Sequence, residues 1–298
     1  MARIALKVDV DTLRGTLEGV PRLLELLDRH SVRATFLFSL GPDHTGWALR
    51  RAFRPGFLTK VSRTSVLEHY GLKTLLYGVL LPAPDIGRKA RGAMQAVRRA
   101  GHECGIHCWD HVVWQDNVRH RDAAWTRNQM AQAHEAFTDI FGELPATHGA
   151  AGWQMNDDAY RQIDAWQMTH ASDSRGDGPF VPRIGGVDCR HVQLPTTLPT
   201  LDELIGVDGI TADDVHRHLL GLTEAGDDQV FTLHAELEGG RLSGTLDRLL
   251  SGWHAQGHHL MALAELQAGL DRARLPRREI GWGSVPGRSG TRSVALPA

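Results

Sequence analysis

The sequence is poor in the features that mark secreted, membrane-spanning and nucleic-acid-binding chains. Cysteine occurs three times in 298 residues, as Cys104, Cys108 and Cys189, an odd number with no Cys-x-x-Cys pair. That argues against a disulfide framework or a structural zinc knuckle and fits a reducing compartment. No apolar run approaches transmembrane length. No basic segment followed by an apolar core precedes the first strand, so no signal peptide is expected. The chain is expected to be cytosolic, or to lie on the cytosolic face of a membrane. An excess of one charge is also lacking. A net charge of -2 and a pI near 6.8 leave no global field to recruit nucleic acid. What remains is ordinary globular composition, 42% hydrophobic and 23% charged, enough for a real core.

The hydrophobic pattern alternates between the periods of strand and helix. Ile4, Leu6 and Val8 alternate with Ala5, Lys7 and Asp9, the period of a strand. Val20, Leu23, Leu24 and Leu27 mark one face of a helix running to about His30, and 33–39 reads as a buried second strand. A β-α-β start predicts a parallel sheet or barrel. The rhythm continues with a helix over 87–100, a strand over 102–106 and a long helix over 121–141. Further strands are expected at 144–150, 168–171, 191–194, 229–233 and 259–261. Helices are expected near 156–166, 212–222, 244–254 and 263–273, and 172–189, rich in Gly, Pro and Asp, reads as a long loop.

Residues 43–90 break this rhythm. Arg50, Arg51, Arg54, Lys60, Arg63, Lys73, Arg88 and Lys89 outnumber Glu68 and Asp85, and an apolar stretch runs from Leu72 to Pro82. Such a segment suits a membrane interface containing anionic lipid. It equally suits a helical excursion packed on the barrel or on a second subunit. The economical reading is one α/β barrel-like domain over 1–275 with this insertion after strand 2. The stretch 276–298, rich in Gly, Arg, Ser and Pro, is expected to be disordered.

Three strand ends carry the chemistry. Asp9 and Asp11 leave the first strand on one face, and two carboxylates that close need an offsetting charge, usually a cation. As a bare pattern they also suit acidic turn residues capping a helix. His107 and His111 stand at i and i+4, a spacing that lets two imidazoles on a helical turn grip one metal ion. With 17 histidines in the chain, roughly one such pair is expected by chance, and His254 and His258 form a second. Position separates them. His107 follows a strand, on the rim where parallel α/β folds assemble active sites, as Asp9, Asp11 and His234 do. His254 ends a helix and His258 precedes a strand, so that pair is expected on the opposite surface.

With these three motifs in order, the chain resembles the NodB-like polysaccharide deacetylases, carbohydrate esterases built on a distorted seven-stranded (β/α)7 barrel. The resemblance covers roughly residues 3–265. It implies Asp9 as general base, Asp11, His107 and His111 as ligands of one divalent metal ion, and His234 as the acid. It also implies that Asp173, in the segment 171–176, polarises His234. An Asp and two His suit zinc, cobalt, manganese, nickel or iron. The family's third motif supplies an Arg that orients the base, but 147–153 here contains none. Lys7 and Arg175 are the candidate replacements.

The segments around Asp9–Thr12, Thr147–Trp153, Ser172–Phe180 and His234–Gly240 resemble more narrowly a deformylase subfamily. Its members act on undecaprenyl-phosphate 4-deoxy-4-formamido-L-arabinose, in the bacterial pathway that adds aminoarabinose to lipid A and confers polymyxin resistance. That resemblance implies a polyprenyl-linked sugar as partner, at the cytosolic face of the inner membrane, and gives the basic, apolar insertion a purpose. Trp153 and Arg175 are candidate substrate-binding residues, with packing as the competing role for Trp153 and Trp109. Cys108 reads as a small buried residue. The competing functions are a deacetylase of N-acetyl sugars in a polysaccharide and a non-catalytic polyprenyl-lipid-binding protein. Oligomeric state is not legible.

Overall fold

The computed structural model describes residues 1–48, 71 and 73–297. Its central strand, β1 (Arg3–Val10), is buried along almost all its length, as a parallel strand covered on both faces must be. One edge of β1 pairs from Ile4 to Asp9 with β9 (Gln229–His234). The other edge is shared: β10 (His259–Met261) pairs with Arg3–Ala5, and β2 (Thr35–Ser39) with Lys7–Val10. Beyond β2 the sheet continues through β3 (Glu103–Cys108), β4 (Thr147–His148), β5 (His170–Ala171) and β8 (Val192–Gln193). Every pairing is parallel.

Closure between β8 and β9 uses irregular chain. The amides of Thr197 and Leu198 donate to the Val230 carbonyl at 3.1 and 3.3 Å, and the hydroxyls of Thr196 and Thr232 are 2.7 Å apart. Seven strands therefore run around the barrel, with β10 an eighth below β2. This is the distorted α/β barrel that the family resemblance implies, within the parallel sheet or barrel that the strand rhythm predicts.

Strand pleating sorts the side chains. Ile4, Leu6, Val8 and Val10 of β1 join Phe36, Phe38, Ile106, Phe231 and Leu233 in the main core. Against this face pack the helices Val20–Arg29, Ile86–Arg99, Ala123–Phe141 and Ser243–Ala255, through buried residues at helical spacing. The opposite pleat is apolar at one end, where Ala5, Val192, Leu194, Val230, Met261 and Leu263 form a second cluster. Two residues further along β1 and β9 the same face carries Lys7 and Thr232, and then Asp9 and His234. The barrel interior thus runs from an apolar plug to a charged rim.

Three expectations are corrected. The stretch 276–298 is not disordered over its described residues. It forms an antiparallel pair, β11 (Arg277–Ser284) and β12 (Thr291–Ala295), in a small sheet with β6 (Val181–Ile184) and β7 (Val187–Asp188). Its polar composition hides the edge that β6 offers for pairing. The loop read over 172–189 contains the β6–β7 hairpin, turning at Gly185 and Gly186, both at positive φ. Finally, His258 is buried and accepts the Ala2 amide at 3.2 Å, while His254 is exposed. This pair does lie at the rim opposite Asp9.

Residues 49–70 and 72, nearly half of the insertion expected over 43–90, lie outside the described residues, and so does any contact they make with membrane or protein. Its roots are bonded together: the Gly46 amide donates to the Tyr77 carbonyl at 3.1 Å and Trp47 Nε1 to the Gly78 carbonyl at 2.6 Å. Among the described residues, no helix is long and apolar enough to cross a membrane.

His102 is a test of the core. Its Nδ1 accepts the Ala34 amide at 3.2 Å and its ring meets Phe36 edge-on, with centroids 5.2 Å apart. Burial, reinforced by the charge of Arg33, lowers its pKa from 6.5 to about 4. The folded state therefore binds fewer protons than the unfolded state between those values, and stability falls as pH drops through that window. Chemical denaturation at pH 7 and pH 5 is expected to show a smaller acid loss for His102→Gln, which still offers the Ala34 amide an acceptor. An equal loss in both proteins would contradict this.

Candidate metal centre

Asp9 is on the inward pleat near the end of β1, and Asp11 follows in the turn. That turn is gripped by two carboxylates from elsewhere in the chain. Glu236 Oε1 accepts the amides of Asp11 and Thr12 at 3.1 and 2.9 Å and the Thr12 hydroxyl at 2.8 Å. Asp43 Oδ2, at the root of the insertion, accepts the Leu13 amide at 2.9 Å. Glycine is required at position 15, because a Cβ there would lie 1.9 Å from Glu236 Oε1.

His107 and His111 come from two elements. His107 is the penultimate residue of β3 and points inward. Asp110 then caps the helix His111–Asn117, accepting the Val113 amide at 3.0 Å, so His111 opens that helix. The two rings are 5.3 Å apart. The expected single helical turn is thus replaced by a strand, a capped turn and a helix start, because His107 is still paired in the sheet.

Asp11, His107 and His111 form a compact ligand set, with donor atoms all within 4.8 Å of one another. Asp11 Oδ1 lies 3.2 Å from His107 Nε2, and Asp11 Oδ2 3.4 Å from His111 Nε2. His107 Nδ1 donates to the Gly149 carbonyl at 2.6 Å, which leaves Nε2 as the lone-pair nitrogen turned towards Asp11. That second bond is the usual orienting device of a metal-bound imidazole. Asp11 Oδ1 is buried without a hydrogen-bond partner, an acceptor that a cation would satisfy. The residues therefore fit a divalent metal with open positions. The second compact set of such side chains, Asp164, Cys189 and His191, has its histidine Nδ1 and two amides committed to Asp164.

Electrostatics reflect the crowding. Burial raises the Asp11 pKa, but the charges of His111 and His107 outweigh it and hold the carboxyl below its ordinary range. Burial lowers that of His107, and Asp9 and Asp11 more than offset it, raising the pKa. Glu236 is pushed up to about 8 by burial and by the Asp11 charge. Burial raises Glu238, which accepts the His234 amide at 2.7 Å, to about 7.

The base and acid candidates flank this set. Asp9 Oδ1 is 3.8 Å from His107 Nδ1 and has no hydrogen-bond partner. Asp9 Oδ2 is 3.4 Å from Lys7 Nζ. His234 stands beside Asp9 in the ladder, and its Nδ1 has no hydrogen-bond partner. Burial depresses the His234 pKa, but the charges of Asp202, Asp11, Glu238 and Asp9 outweigh it and raise it.

Three expected roles change. Asp173 does not orient His234. It accepts from His148 Nδ1 at 2.6 Å and from Gln193 Nε2 at 2.7 Å, because β4 and β5 are neighbours and bring their ends together. Trp153 is 2% exposed and donates to Thr196 Oγ1 at 3.0 Å, so its competing role in packing is the one realised. Arg175 is engaged by Glu203 at 2.9 and 3.1 Å and by the Leu198 carbonyl at 3.2 Å, and so does not supply the charge beside Asp9. Sequence reasoning missed Glu236, Glu238, Asp43 and His148. Glutamates two and four residues after His234 were the available signal for the first two.

The division of roles is open to measurement. After gel filtration in metal-free buffer, elemental analysis is expected to find about one divalent ion per wild-type chain. Asp11→Asn and His107→Ala are expected to lose most of it, and Asp9→Asn to keep it. Loss of metal from Asp9→Asn would make Asp9 a ligand.

With this geometry in hand, the relatives can be placed. No family model matches the sequence. The chain is 36% identical over 239 residues, 80% of its length and 77% of the relative's, to the probable 4-deoxy-4-formamido-L-arabinose-phosphoundecaprenol deformylase ArnD of Shewanella sediminis. It is 28% identical to the protein of that name from Wigglesworthia glossinidia brevipalpis, across 93% of this chain and 96% of that one. A crystal structure from Mycobacterium smegmatis described as a polysaccharide deacetylase superposes with a TM-score of 0.65 at 17% identity, covering 95% of both chains. An allantoinase structure superposes with a TM-score of 0.59 at 16% identity over 90% of both. These structural likenesses place the fold among the polysaccharide-deacetylase barrels. By its sequence the chain belongs to the 4-deoxy-4-formamido-L-arabinose-phosphoundecaprenol deformylase family.

Proposed function

We propose that the protein hydrolyses the formamide of undecaprenyl-phosphate 4-deoxy-4-formamido-L-arabinose, giving the 4-amino sugar lipid and formate. The observation that carries this reading is the set Asp9, Asp11, His107, His111 and His234 on one barrel rim, in a chain of the deformylase family. Formamide hydrolysis needs an activated water, a polarised carbonyl and a proton for the departing nitrogen.

Asp11, His107 and His111 would hold the metal. A divalent ion there supplies Lewis acidity towards the formyl oxygen and makes water a better proton donor at neutral pH. Asp9, unligated and with Oδ1 free, takes the proton as water attacks the formyl carbon. His234, on the neighbouring strand, then donates a proton to the sugar nitrogen as the C–N bond breaks. Its raised pKa, set by the surrounding carboxylates, suits an acid that must be protonated near neutrality. The product amine is cationic, consistent with a role in lipid A modification and polymyxin resistance.

A polyprenyl-linked substrate remains in the bilayer, so the reading includes peripheral association with the cytosolic face of the inner membrane. Its support is at the described edge of the insertion, where Val79 and Leu80 are 53% and 76% exposed and Lys73, Arg88 and Lys89 are also exposed. Apolar side chains beside cations suit an anionic lipid surface.

Two experiments test these statements. Metal-loaded enzyme is expected to release formate from the formamido-arabinose lipid. Asp9→Asn and His234→Asn should each be slower by about 10²- to 10⁴-fold, the usual contribution of general acid–base catalysis. Release of acetate from N-acetylglucosamine polymers, with no formate from the lipid, would instead make the protein a polysaccharide deacetylase. For the membrane, Val79→Asp/Leu80→Asp is expected to weaken co-sedimentation with anionic liposomes by about tenfold or more. Unchanged sedimentation would remove this edge from the lipid contact.

A further inference from the structure

Lys7 is an unusual residue to find inside a barrel. It is fully buried and stands on the inward pleat between Ala5 of the apolar plug and Asp9 of the rim. An unpaired ammonium in such a place is strongly disfavoured, so its partners define its purpose. Its Nζ donates to the Ser172 carbonyl at 3.0 Å, lies 3.4 Å from Asp9 Oδ2, and sits over the Trp153 ring 5.3 Å from the centroid. Arg175, the other cation considered for this charge, is held by Glu203. Among the described lysines and arginines, the one paired with Asp9 is therefore Lys7.

From this geometry we infer that Lys7 is the positioning residue of Asp9. It pairs with Oδ2 and so holds the orientation of the carboxylate, whose Oδ1 is buried without a hydrogen-bond partner. The surroundings are shaped for this contact. A Cβ at Gly149 would come within 3.1 Å of Lys7 Cε and 2.2 Å of Leu37 Cδ1, so glycine there makes room for the lysine stem. Trp153 is held at φ +52°, a left-handed conformation costly for a large side chain, with its ring against the ammonium. The Ser172 carbonyl and the Trp153 face fix Nζ from two other directions, which makes the third, towards Asp9, directional as well as attractive.

This inference rests on Asp9 being the general base, and the test separates the two. Lys7→Gln can still donate to the Ser172 carbonyl but carries no charge. On the metal-loaded full chain, it is expected to lower kcat for formate release by about 10- to 100-fold, the scale of a misplaced reacting group, with KM and metal content close to wild type. Lys7→Arg should recover part of the loss. Adding Lys7→Gln to Asp9→Asn should cost nothing further, because the lysine acts through the carboxylate that has been removed. A Lys7→Gln enzyme within about twofold of wild type, beside a slow Asp9→Asn, overturns the role of Lys7 alone. An Asp9→Asn enzyme as fast as wild type overturns the base assignment and the role of Lys7 with it. If Lys7→Gln does not fold, Lys7→Met/Asp9→Asn removes both charges and is compared with Asp9→Asn. Equal residual rates support the inference, and a further fall shows a purely structural lysine.

Discussion

Two carboxylates, Asp9 and Asp11, stand two residues apart at the mouth of a barrel whose other end is filled with hydrocarbon. Each needs a compensating cation, and the two needs are met differently. Asp9 has the ammonium of Lys7, 3.4 Å away and carried on the same strand. Asp11 has two imidazoles at 3.2 and 3.4 Å, in an arrangement suited to a divalent ion. This division is the one that the proposed roles need, with Asp11 as ligand and Asp9 as base. The second compensation depends on β2 and β3 being in register with β1, since His107 is carried on β3.

Around this centre, a second layer of carboxylates holds backbone in place. Glu236 and Asp43 hold the Asp11–Leu13 turn, and Asp110 caps the helix that starts with His111. Asp110 also meets His44 at the root of the insertion, and Glu238 holds the His234 amide. The bonds from Glu236, Asp43, Asp110 and Glu238 to backbone each satisfy an amide that the end of a strand or helix would otherwise leave unpaired. The turns that carry Asp11 and His111 are thereby fixed from the segments after β2, β3 and β9, which makes the roots of the insertion part of the frame of the candidate site.

The C-terminal strands complete the frame from behind. Arg288, between β11 and β12, reaches Glu203 at 2.8 Å and the Trp153 ring at 5.1 Å. Arg175 meets the same carboxylate and the same ring. Trp153 thus gathers three cations, of which only Lys7 continues to the rim. The ring is buried structure.

The sequence by itself determined the alternation of strand and helix, and hence the parallel barrel. It also determined the rim on which Asp9, Asp11, His107, His111 and His234 gather, because period and position along a strand decide which way a side chain points and at which end it lies. These are local properties, legible from a few neighbours. Contacts between distant segments were decided only by the tertiary structure. Lys7 and Ser172 are 165 residues apart, and nothing near Lys7 announces that its ammonium is held by the Ser172 carbonyl. Asp173 was assigned to His234 by its place in a motif, but the adjacency of β4 and β5 gives it to His148. Arg175 looked free as a sequence and is held by Glu203. The last residues read as a polar tail because a strand that pairs at the edge of a small sheet needs little apolar surface of its own, and the partner that orders it, β6, lies about a hundred residues earlier.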